Sequence, residues 1–345
     1  MKLEIIIPVT RPQRLSHCLK QFIQQTYDHH QFEIILVMAD DCIIDLPPTD
    51  VKITRLIENN LHPSMRRNRG VRHTQTELVA FLDDDIIVSR NWVEQAIKSL
   101  HDHPWDGVCG PLSHFDEKAS LPYQLAGAAN DSFFLEGFED THAENVKKVN
   151  FYNMPLCNCL IKRSVWEAVG GFNETSSYYI DDIEFFYIAS HLGYSFFVIP
   201  EIKVHHMIEP FPVGYLKKKM ITRFNTGINT ILFNEIYGKM PFIKLAIAVF
   251  GILTGIGLLF PHHVYATLCI AGISYLSLAI GFSWKYLKKH PMVFGMLPLT
   301  FLTTHIIIFL SFIGGISFSL FNRNKYQPIL ISKWRRFMNA KISPL

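Results

Sequence analysis

The segment Phe81-Leu82-Asp83-Asp84-Asp85-Ile86-Ile87-Val88 sets three adjacent carboxylates between two apolar runs. The apolar runs predict a buried strand and its continuation. Because burying an uncompensated carboxylate is costly, clustered Asp side chains at a strand end need cationic partners. Hard divalent cations take oxygen ligands and keep positions open for substrate phosphates. The segment therefore indicates a metal and phosphate site, with a solvated acidic turn as the alternative.

Around this turn, strand-like apolar runs alternate with segments of helical spacing. Strands are predicted at 3–9, 32–38, 51–56 and 78–82, and helices at 15–23, 67–74 and 92–100. This alternation predicts an α/β fold in which a mostly parallel sheet carries helices on both faces. Ligands of such sheets bind beyond the carboxyl ends of the strands, so residues 8–11, 40–41 and 83–85 are expected to converge.

Further along the chain the pattern is less regular between residues 110 and 148. Ser164 and Glu167 form a capping-box pattern that predicts the start of a short helix, and Gly170-Gly171 predicts its end. A loop carrying three carboxylates is then predicted before a helix through Phe186. A last strand at 196–199 leads to His205-His206.

The C-terminal part of the chain is apolar, with no Asp, Glu, Lys or Arg at 245–284 or 291–322. About 20 residues suffice for a helix to cross a bilayer. The sequence therefore predicts a soluble domain at 1–235, membrane or interfacial helices at 236–322 and a basic tail at 323–345. The helices are expected near 241–260, 264–283 and 292–320. A buried helical hairpin of a soluble protein is the alternative.

Basic residues gather where the predicted soluble domain meets these helices, at Lys217, Lys218, Lys219, Arg223, Lys239 and Lys244. Such a cluster suits an anionic cytoplasmic membrane face, with membrane lipids as partners. Residues 3–9 are too short for a signal peptide and include Glu4, and the scattered cysteines are typical of a reducing compartment. We expect a multi-pass protein of the inner, cytoplasmic membrane with a cytosolic soluble domain. With a net charge of +3, no nucleic-acid partner is expected.

Six short motifs follow one another along the chain: Ile5-Ile6-Ile7-Pro8-Val9-Thr10, Arg67-Asn68-Arg69-Gly70, Phe81-Leu82-Asp83-Asp84-Asp85, Gly170-Gly171-Phe172, Asp181-Asp182 and His206. In this order they resemble the family 2 glycosyltransferases, over roughly residues 3–235. The apolar end resembles the membrane-bound branch of that family. The resemblance implies a GT-A fold and inverting transfer from a nucleotide-diphosphate sugar, expected to be a UDP-sugar. It implies a lipid-linked or membrane-proximal glycan acceptor, in polysaccharide or glycolipid synthesis.

The resemblance also implies roles for individual residues. It assigns the donor site to Pro8, Thr10, Arg11, Asp83 and Asp84. It assigns a Mg²⁺ or Mn²⁺ site to Asp83, Asp85 and His206, or to His205 in place of His206 if the motif is aligned one residue earlier. Asp182 corresponds to the general base, with Asp181 beside it. Arg67 and Arg223 are candidates for phosphate oxygens, and Asp40 for the ribose or base, because the acidic pair after the second strand is displaced from the family's position.

Each assignment has a plainer alternative. The two histidines could be exposed imidazoles at a strand end, the second acidic cluster could be a helix N-terminal cap, and the two arginines could be surface charges facing anionic lipid. A non-catalytic nucleotide-sugar-binding membrane subunit of a glycan assembly complex is the alternative function. A sugar-1-phosphate nucleotidyltransferase is disfavoured because Thr10-Arg11-Pro12-Gln13 contains no glycine to cradle phosphate. A transporter is disfavoured because the apolar runs carry only histidines as ionisable groups.

Overall fold

The computed structural model of the chain describes residues 2–44, 46, 48–60, 62–102, 104–136, 145–174, 181–232 and 264–322. These residues divide into two units. The first lies within 1–114 and 139–207, and the second within 115–138 and 208–333. The predicted membrane helix at 241–260 and the basic tail at 323–345 lie outside the described residues. The predicted division at residue 235 stays a prediction for the same reason.

An eight-stranded sheet forms the centre of the first unit, in the order β3-β2-β1-β4-β9-β6-β10-β8. Its strands are β1 (Leu3–Pro8), β2 (Phe32–Met38), β3 (Lys52–Ile57), β4 (Leu78–Leu82), β6 (Gly107–Cys109), β8 (Lys147–Lys148), β9 (Asn158–Lys162) and β10 (Phe196–Val198). The first four strands pair in parallel, whereas β9 is antiparallel to both of its neighbours. The residues of β1, β2 and β4 are all buried, as expected for a parallel sheet covered on both faces. The predicted mostly parallel sheet is confirmed.

A second, three-stranded sheet follows the acidic turn and was not predicted from the sequence. It consists of β5 (Ile86–Val88), β7 (Leu112–Ser113) and β11 (Val204–His206), in the order β5-β11-β7. β11 runs antiparallel to β5 and parallel to β7. This small sheet brings three distant parts of the chain to the end of the acidic turn.

The helices of the first unit are α1 (Pro12–Ile23), α2 (Pro63–His73), α3 (Trp92–Asp102), α6 (Arg163–Val169) and α7 (Asp181–His191). Helix α1 buries Leu15, Cys18, Leu19 and Phe22, one stripe at helical spacing. Helix α2 packs closely on β1 through Gly70, where a Cβ atom would lie 2.5 Å from Cγ2 of Ile6.

Two local predictions in this unit are wrong. The capping box fails because α6 begins at Arg163, which leaves Ser164 inside the helix, and the N-cap residue makes no side-chain cap. Instead, the Arg163 Nε donates to Glu167 one turn later, at 2.8 Å. The helix ends as predicted, with Gly170 at φ +86°. Asp181, Asp182 and Glu184 lie in the first turn of α7 and not in a loop before it.

The second unit contains α4 (Leu121–Asn130), α5 (Phe133–Glu136), α8 (Val213–Leu232), α9 (Val264–Ser283) and α10 (Pro291–Phe321). Helices α4 and α5 come from the segment where the sequence pattern is less regular. Helix α8 packs closely against α10 at two glycines. A Cβ atom on Gly227 would strike the carbonyl of Phe312, and a Cβ atom on Gly315 would strike the carbonyl of Phe224. Among the described residues, two helices could cross a membrane by length and composition, at Leu268–Tyr286 and Pro291–Phe321. The core helix of a soluble protein passes the same test.

Candidate active site

A pocket opens beyond the carboxyl ends of β1 and β4. Its lining residues are Pro8, Thr10, Arg11, Pro63, Arg67 and Asp83. Five of these six carry donor-site assignments from the sequence, and Pro63 at the start of α2 was missed. Asp40 is exposed after β2, where its backbone N–H donates to Asn59 Oδ1 at 2.8 Å, and it does not line this pocket.

Asp84 supports the pocket from inside the fold. Its side chain is fully buried, and its Oδ2 accepts from the backbone N–H groups of Thr10 and Arg11. The Nε of Arg11 donates to the other oxygen at 3.1 Å. Burial raises the pKa of the Asp84 carboxyl, and the Arg11 charge opposes that shift. Asp84 therefore holds the loop after β1 in place, while its neighbour Asp83 faces the pocket.

Asp83, Asp85 and His206 form a cluster with one ligand atom each, all within 4.8 Å of one another. The Nε2 of His206 lies 3.0 Å from Asp85 Oδ1. On the other side, Nη1 of Arg11 lies 2.7 Å and Nη1 of Arg14 3.3 Å from Asp85 Oδ2. Two carboxylates and one imidazole are a donor set that fits Mg²⁺ or Mn²⁺. The structure thus brings together the three residues predicted to hold the metal.

The register of β11 separates the two adjacent histidines. His206 pairs with Ile86 and His205 with Ile87, and successive side chains of a strand point to opposite faces. Only His206 joins the acidic cluster among the described residues. Its side chain is 15% exposed, so it is not an exposed imidazole.

Arg67 connects the acidic turn to the second acidic cluster. Its Nη2 donates to Asp83 Oδ1 at 3.1 Å and its Nη1 to Asp181 Oδ2 at 3.0 Å. Burial alone would lower the pKa of Arg67, but the charges of Asp83 and Asp181 raise it. The residue is 7% exposed, which excludes the alternative of a surface charge facing lipid. One guanidinium thus contacts a carboxylate of each acidic cluster, Asp83 and Asp181.

The carboxylates of α7 differ in their surroundings. Asp181 is buried and also accepts from Ser64 Oγ at 2.9 Å, whereas Asp182 is partly exposed and accepts from the N–H of Ile183. Burial, together with the charge of Asp181, raises the pKa of Asp182 to about 7. A carboxyl with such a pKa is suited to exchange a proton near neutral pH.

Glu184 lies in the same turn of α7 but is 1% exposed. Both of its oxygens accept from Nδ2 of Asn173, at 3.0 and 3.1 Å. Burial raises the pKa of Glu184 to about 7 as well.

Asn68 belongs to a motif quoted from the sequence, but its structural role was not predicted. Its Oδ1 accepts from the N–H of Phe172 and from Nε1 of Trp166, and its Nδ2 donates to the Phe172 carbonyl. The Arg67-Asn68-Arg69-Gly70 motif is thereby joined to Gly170-Gly171-Phe172. The presence of both motifs in one chain was the signal from which this contact could have been predicted. Arg223 lies on α8, in the second unit.

Comparison with known proteins agrees with this geometry. Residues 4–170 match the family model described as Glycosyl transferase family 2. The chain carries a family 2 glycosyltransferase domain. The glycosyltransferase AglE of Haloferax volcanii is 24% identical over 225 residues, which are 62% of this chain and 69% of AglE. The poly(ribitol-phosphate) beta-N-acetylglucosaminyltransferase TarS of Staphylococcus aureus is 25% identical over 139 residues, 34% of this chain and only 24% of TarS.

The fold of the glycosyltransferase domain is GT-A-like. A solved structure of the mannosyltransferase PcManGT from Pyrobaculum calidifontis, in complex with GDP-Man and Mn²⁺, superposes with a TM-score of 0.55. The superposition covers 88% of this chain and 86% of PcManGT, at 14% identity. At that identity the likeness concerns the fold alone.

Proposed function

We propose that this protein transfers a sugar from a nucleotide-diphosphate donor to a hydroxyl of a lipid-linked or membrane-proximal glycan acceptor, with inversion at the anomeric carbon. The observation that carries the proposal is the Arg67 bridge, 3.1 Å from Asp83 and 3.0 Å from Asp181. A displacement needs the leaving group and the attacking group held in one geometry. A single buried guanidinium between the two carboxylates supports that arrangement.

The donor belongs in the pocket between Pro8 and Asp83. Arg11 and Arg67 line it and offer N–H groups to the diphosphate oxygens. Asp83, Asp85 and His206 would hold Mg²⁺ or Mn²⁺, which when bound supplies charge that neutralises the departing diphosphate. The Mn²⁺ and GDP-Man of PcManGT support a metal and a nucleotide sugar as ligands. The expected donor is a UDP-sugar.

The acceptor belongs on the side of α7. In its ionised form Asp182 takes the proton of the acceptor hydroxyl as the acceptor oxygen forms a bond to the anomeric carbon. The bond from that carbon to the diphosphate oxygen breaks, and the nucleoside diphosphate leaves with the electron pair. Asp181, paired with Arg67 and Ser64, keeps its charge in place beside Asp182.

A membrane-proximal acceptor is supported by the second unit. Residues 115–138 interrupt the first unit in sequence and belong to the unit of the apolar helices. Within it, Phe134 stacks on Phe282 of α9, with ring centroids 5.1 Å apart, and packs edge-on against Phe301 of α10. Residues 115–138 thus belong with the candidate membrane helices, which supports an acceptor held near the membrane.

Helix α8 presents a face suited to a membrane surface. Val213, Met220 and Ile221 are exposed apolar residues at one helical spacing, and the exposed Lys217 lies on the same stripe. Apolar side chains beside a lysine fit the boundary of an anionic bilayer. The proposed location is therefore the cytoplasmic membrane, with the glycosyltransferase domain in the cytosol.

The proposal is tested by donor turnover. The purified full chain, with Mn²⁺ or Mg²⁺ and membrane lipid extract, is offered UDP-glucose, UDP-galactose, UDP-GlcNAc and GDP-mannose separately. Release of nucleoside diphosphate and transfer of labelled sugar to the lipid fraction are measured. We expect metal-dependent transfer with one donor class, and a loss of about 100-fold or more in Asp85→Ala and Asp182→Ala.

The matched control is Asp50→Ala, because Asp50 is an exposed carboxylate outside the pocket. It is expected to keep wild-type turnover. Unchanged activity in both site variants would refute the assigned roles. Nucleotide binding without transfer from any donor would favour the non-catalytic membrane subunit.

A further inference from the structure

We propose that His114 is a positioning residue for the metal site, which orients the imidazole of His206 and fixes its tautomer. The inference rests on the proposed function, since it concerns the same cation. His114 follows β7 in the small sheet and belongs to none of the motifs found in the sequence.

The register of the small sheet brings the two imidazoles together. β11 and β7 are parallel, with His205 opposite Ser113, so the next pair in register is His206 and His114. Paired residues of parallel strands point to the same face. The rings are 5.4 Å apart between centroids and 67° from coplanar, and Nδ1 of His206 lies 3.4 Å from Nε2 of His114.

His206 therefore lies between a carboxylate and a second imidazole. Its Nε2 is 3.0 Å from Asp85 Oδ1, while its Nδ1 faces His114. A neutral imidazole carries one N–H and one lone pair, so the proton of His206 lies either on Nε2, toward Asp85, or on Nδ1, toward His114. A metal at the acidic cluster requires the lone pair on Nε2, and hence the proton on Nδ1.

In the proposed arrangement Nε2 of His114 carries a lone pair and accepts from Nδ1–H of His206, which favours that tautomer. Arg11 and Arg14 act in the same direction, since they pair with Asp85 and weaken its demand for the Nε2 proton. Metal-binding histidines generally donate their second N–H to a partner that orients the ring, and loss of such a partner lowers metal affinity by about 10–100-fold. Without His114, the Nε2–H tautomer bonded to Asp85 competes with metal binding.

The test is Mn²⁺ binding by the full chain without nucleotide, followed by electron paramagnetic resonance of free Mn²⁺. The variants are His114→Ala, His114→Gln, His206→Ala and, as matched control, His17→Ala, which removes an exposed imidazole of α1. We expect His114→Ala to weaken binding about 10-fold. Gln can accept through Oε1, so His114→Gln should retain affinity within about 3-fold of wild type. His17→Ala should match wild type.

The outcomes separate this inference from the proposed function. Wild-type affinity in His114→Ala, or equal losses in His114→Ala and His114→Gln, would overturn the role of His114. If His206→Ala also binds like wild type, the metal assignment fails with it. If only His206→Ala loses affinity, the cation site stands and the positioning role alone is wrong. The melting temperatures of His114→Ala and His114→Gln are also compared. If they match, a difference in Mn²⁺ affinity does not result from a difference in folding.

Discussion

The ionisation of Asp182 sets the pH range of the proposed transfer. Its pKa is raised to about 7 by burial and by the charge of Asp181. Because a general base acts in its ionised form, kcat/KM is expected to rise with pH up to about 7 and to level off above it. The measurement is a pH profile at saturating metal. A kcat/KM that is constant between about pH 5 and 8 would contradict a base role for this residue.

The buried carboxyl of Glu184 is expected to make the stability of the fold depend on pH. Its pKa is about 7 in the folded protein, against about 4.3 when unperturbed. The folded state therefore holds a proton that the unfolded state loses, so this group makes the protein less stable as pH rises from about 4 to 7. The decrease is at most about 4 kcal/mol at 1.36 kcal/mol per pKa unit, and it is expected to disappear in Glu184→Gln.

The measurement is the melting temperature of the wild type and Glu184→Gln at about pH 5 and pH 8. We expect the variant to gain on the wild type at the higher pH. Glu167→Gln is the control, since Glu167 is an exposed carboxylate whose side chain pairs with Arg163 on the surface of α6. A variant that loses stability equally at both pH values would indicate that Glu184 is ionised in the fold.

Asp83, Asp85 and Asp182 could be singled out from the sequence because they stand in short contiguous motifs, and their roles stay predictions. Their hydrogen-bonding partners could not be predicted. The bond from Arg67 to Asp181 spans 114 positions, and no local pattern encodes it. The choice between His205 and His206 depends on a one-residue register, which the pairing of β11 with β5 decides.

Helix α2 acts as the element that joins the two acidic sites. Arg67 reaches both because a guanidinium is a rigid fork, whereas a lysine ammonium is a single point charge. In Arg67→Lys we expect kcat/KM to fall by about 10-fold or more, since one of the two carboxylates loses a buried charged partner. Steady-state kinetics and melting temperature are the measurements.

Arg69→Lys is the matched control for this substitution, because Arg69 is exposed on the same helix. It should leave kcat/KM unchanged. Equal kinetics of Arg67→Lys and wild type would mean that transfer does not require the bridge.

The contact between α8 and α10 leaves no room for a side chain at Gly227. A Cβ at Gly227 meets the Phe312 carbonyl, which is backbone and cannot move as a side chain does. Gly227→Ala should therefore separate the two helices and destabilise the protein by about 1–3 kcal/mol. Gly272→Ala on α9 is the control, because nothing lies within 4 Å of its added Cβ. Melting temperatures in one detergent compare the two. A Gly227→Ala variant as stable as Gly272→Ala would contradict this packing.

The sequence predicted β1, β2, β3, β4 and β10 as strands, but it did not predict β9 or the pairing of the small sheet. β1, β2 and β4 are runs of 5–7 residues that are apolar except for Glu4 and Glu33, as expected for strands buried on both faces. The strands of the small sheet have two or three residues and pair across large separations in sequence. Strands this short are not long enough to show the alternation of apolar and polar residues that predicts a strand. Helix α4 was missed because its buried residues include small alanines and a glycine.

One segment of the chain belongs to a different unit from the residues that flank it in sequence. The chain leaves the glycosyltransferase domain after His114, contributes residues 115–138 to the second unit, and returns. Leu125 of α4 is buried in a cluster with Val293 and Leu297 of α10. The second unit is therefore not an appendage at the C-terminus, since removing α10 would expose part of a segment inserted in the domain.

A substitution on α9 tests whether the second unit lies in a membrane. Ile273 is near the middle of the helix and 66% exposed. In a bilayer, Asp at the centre of a helix costs about 2.5–3.5 kcal/mol, whereas in water an exposed Asp costs little. Ile273→Asp should therefore reduce the protein recovered in the membrane pellet after alkaline washing. Ile43→Asp is the control, because Ile43 is 93% exposed in the first unit. If both variants and the wild type are recovered in the supernatant without detergent, α9 is a helix exposed to water and the proposed membrane location is wrong.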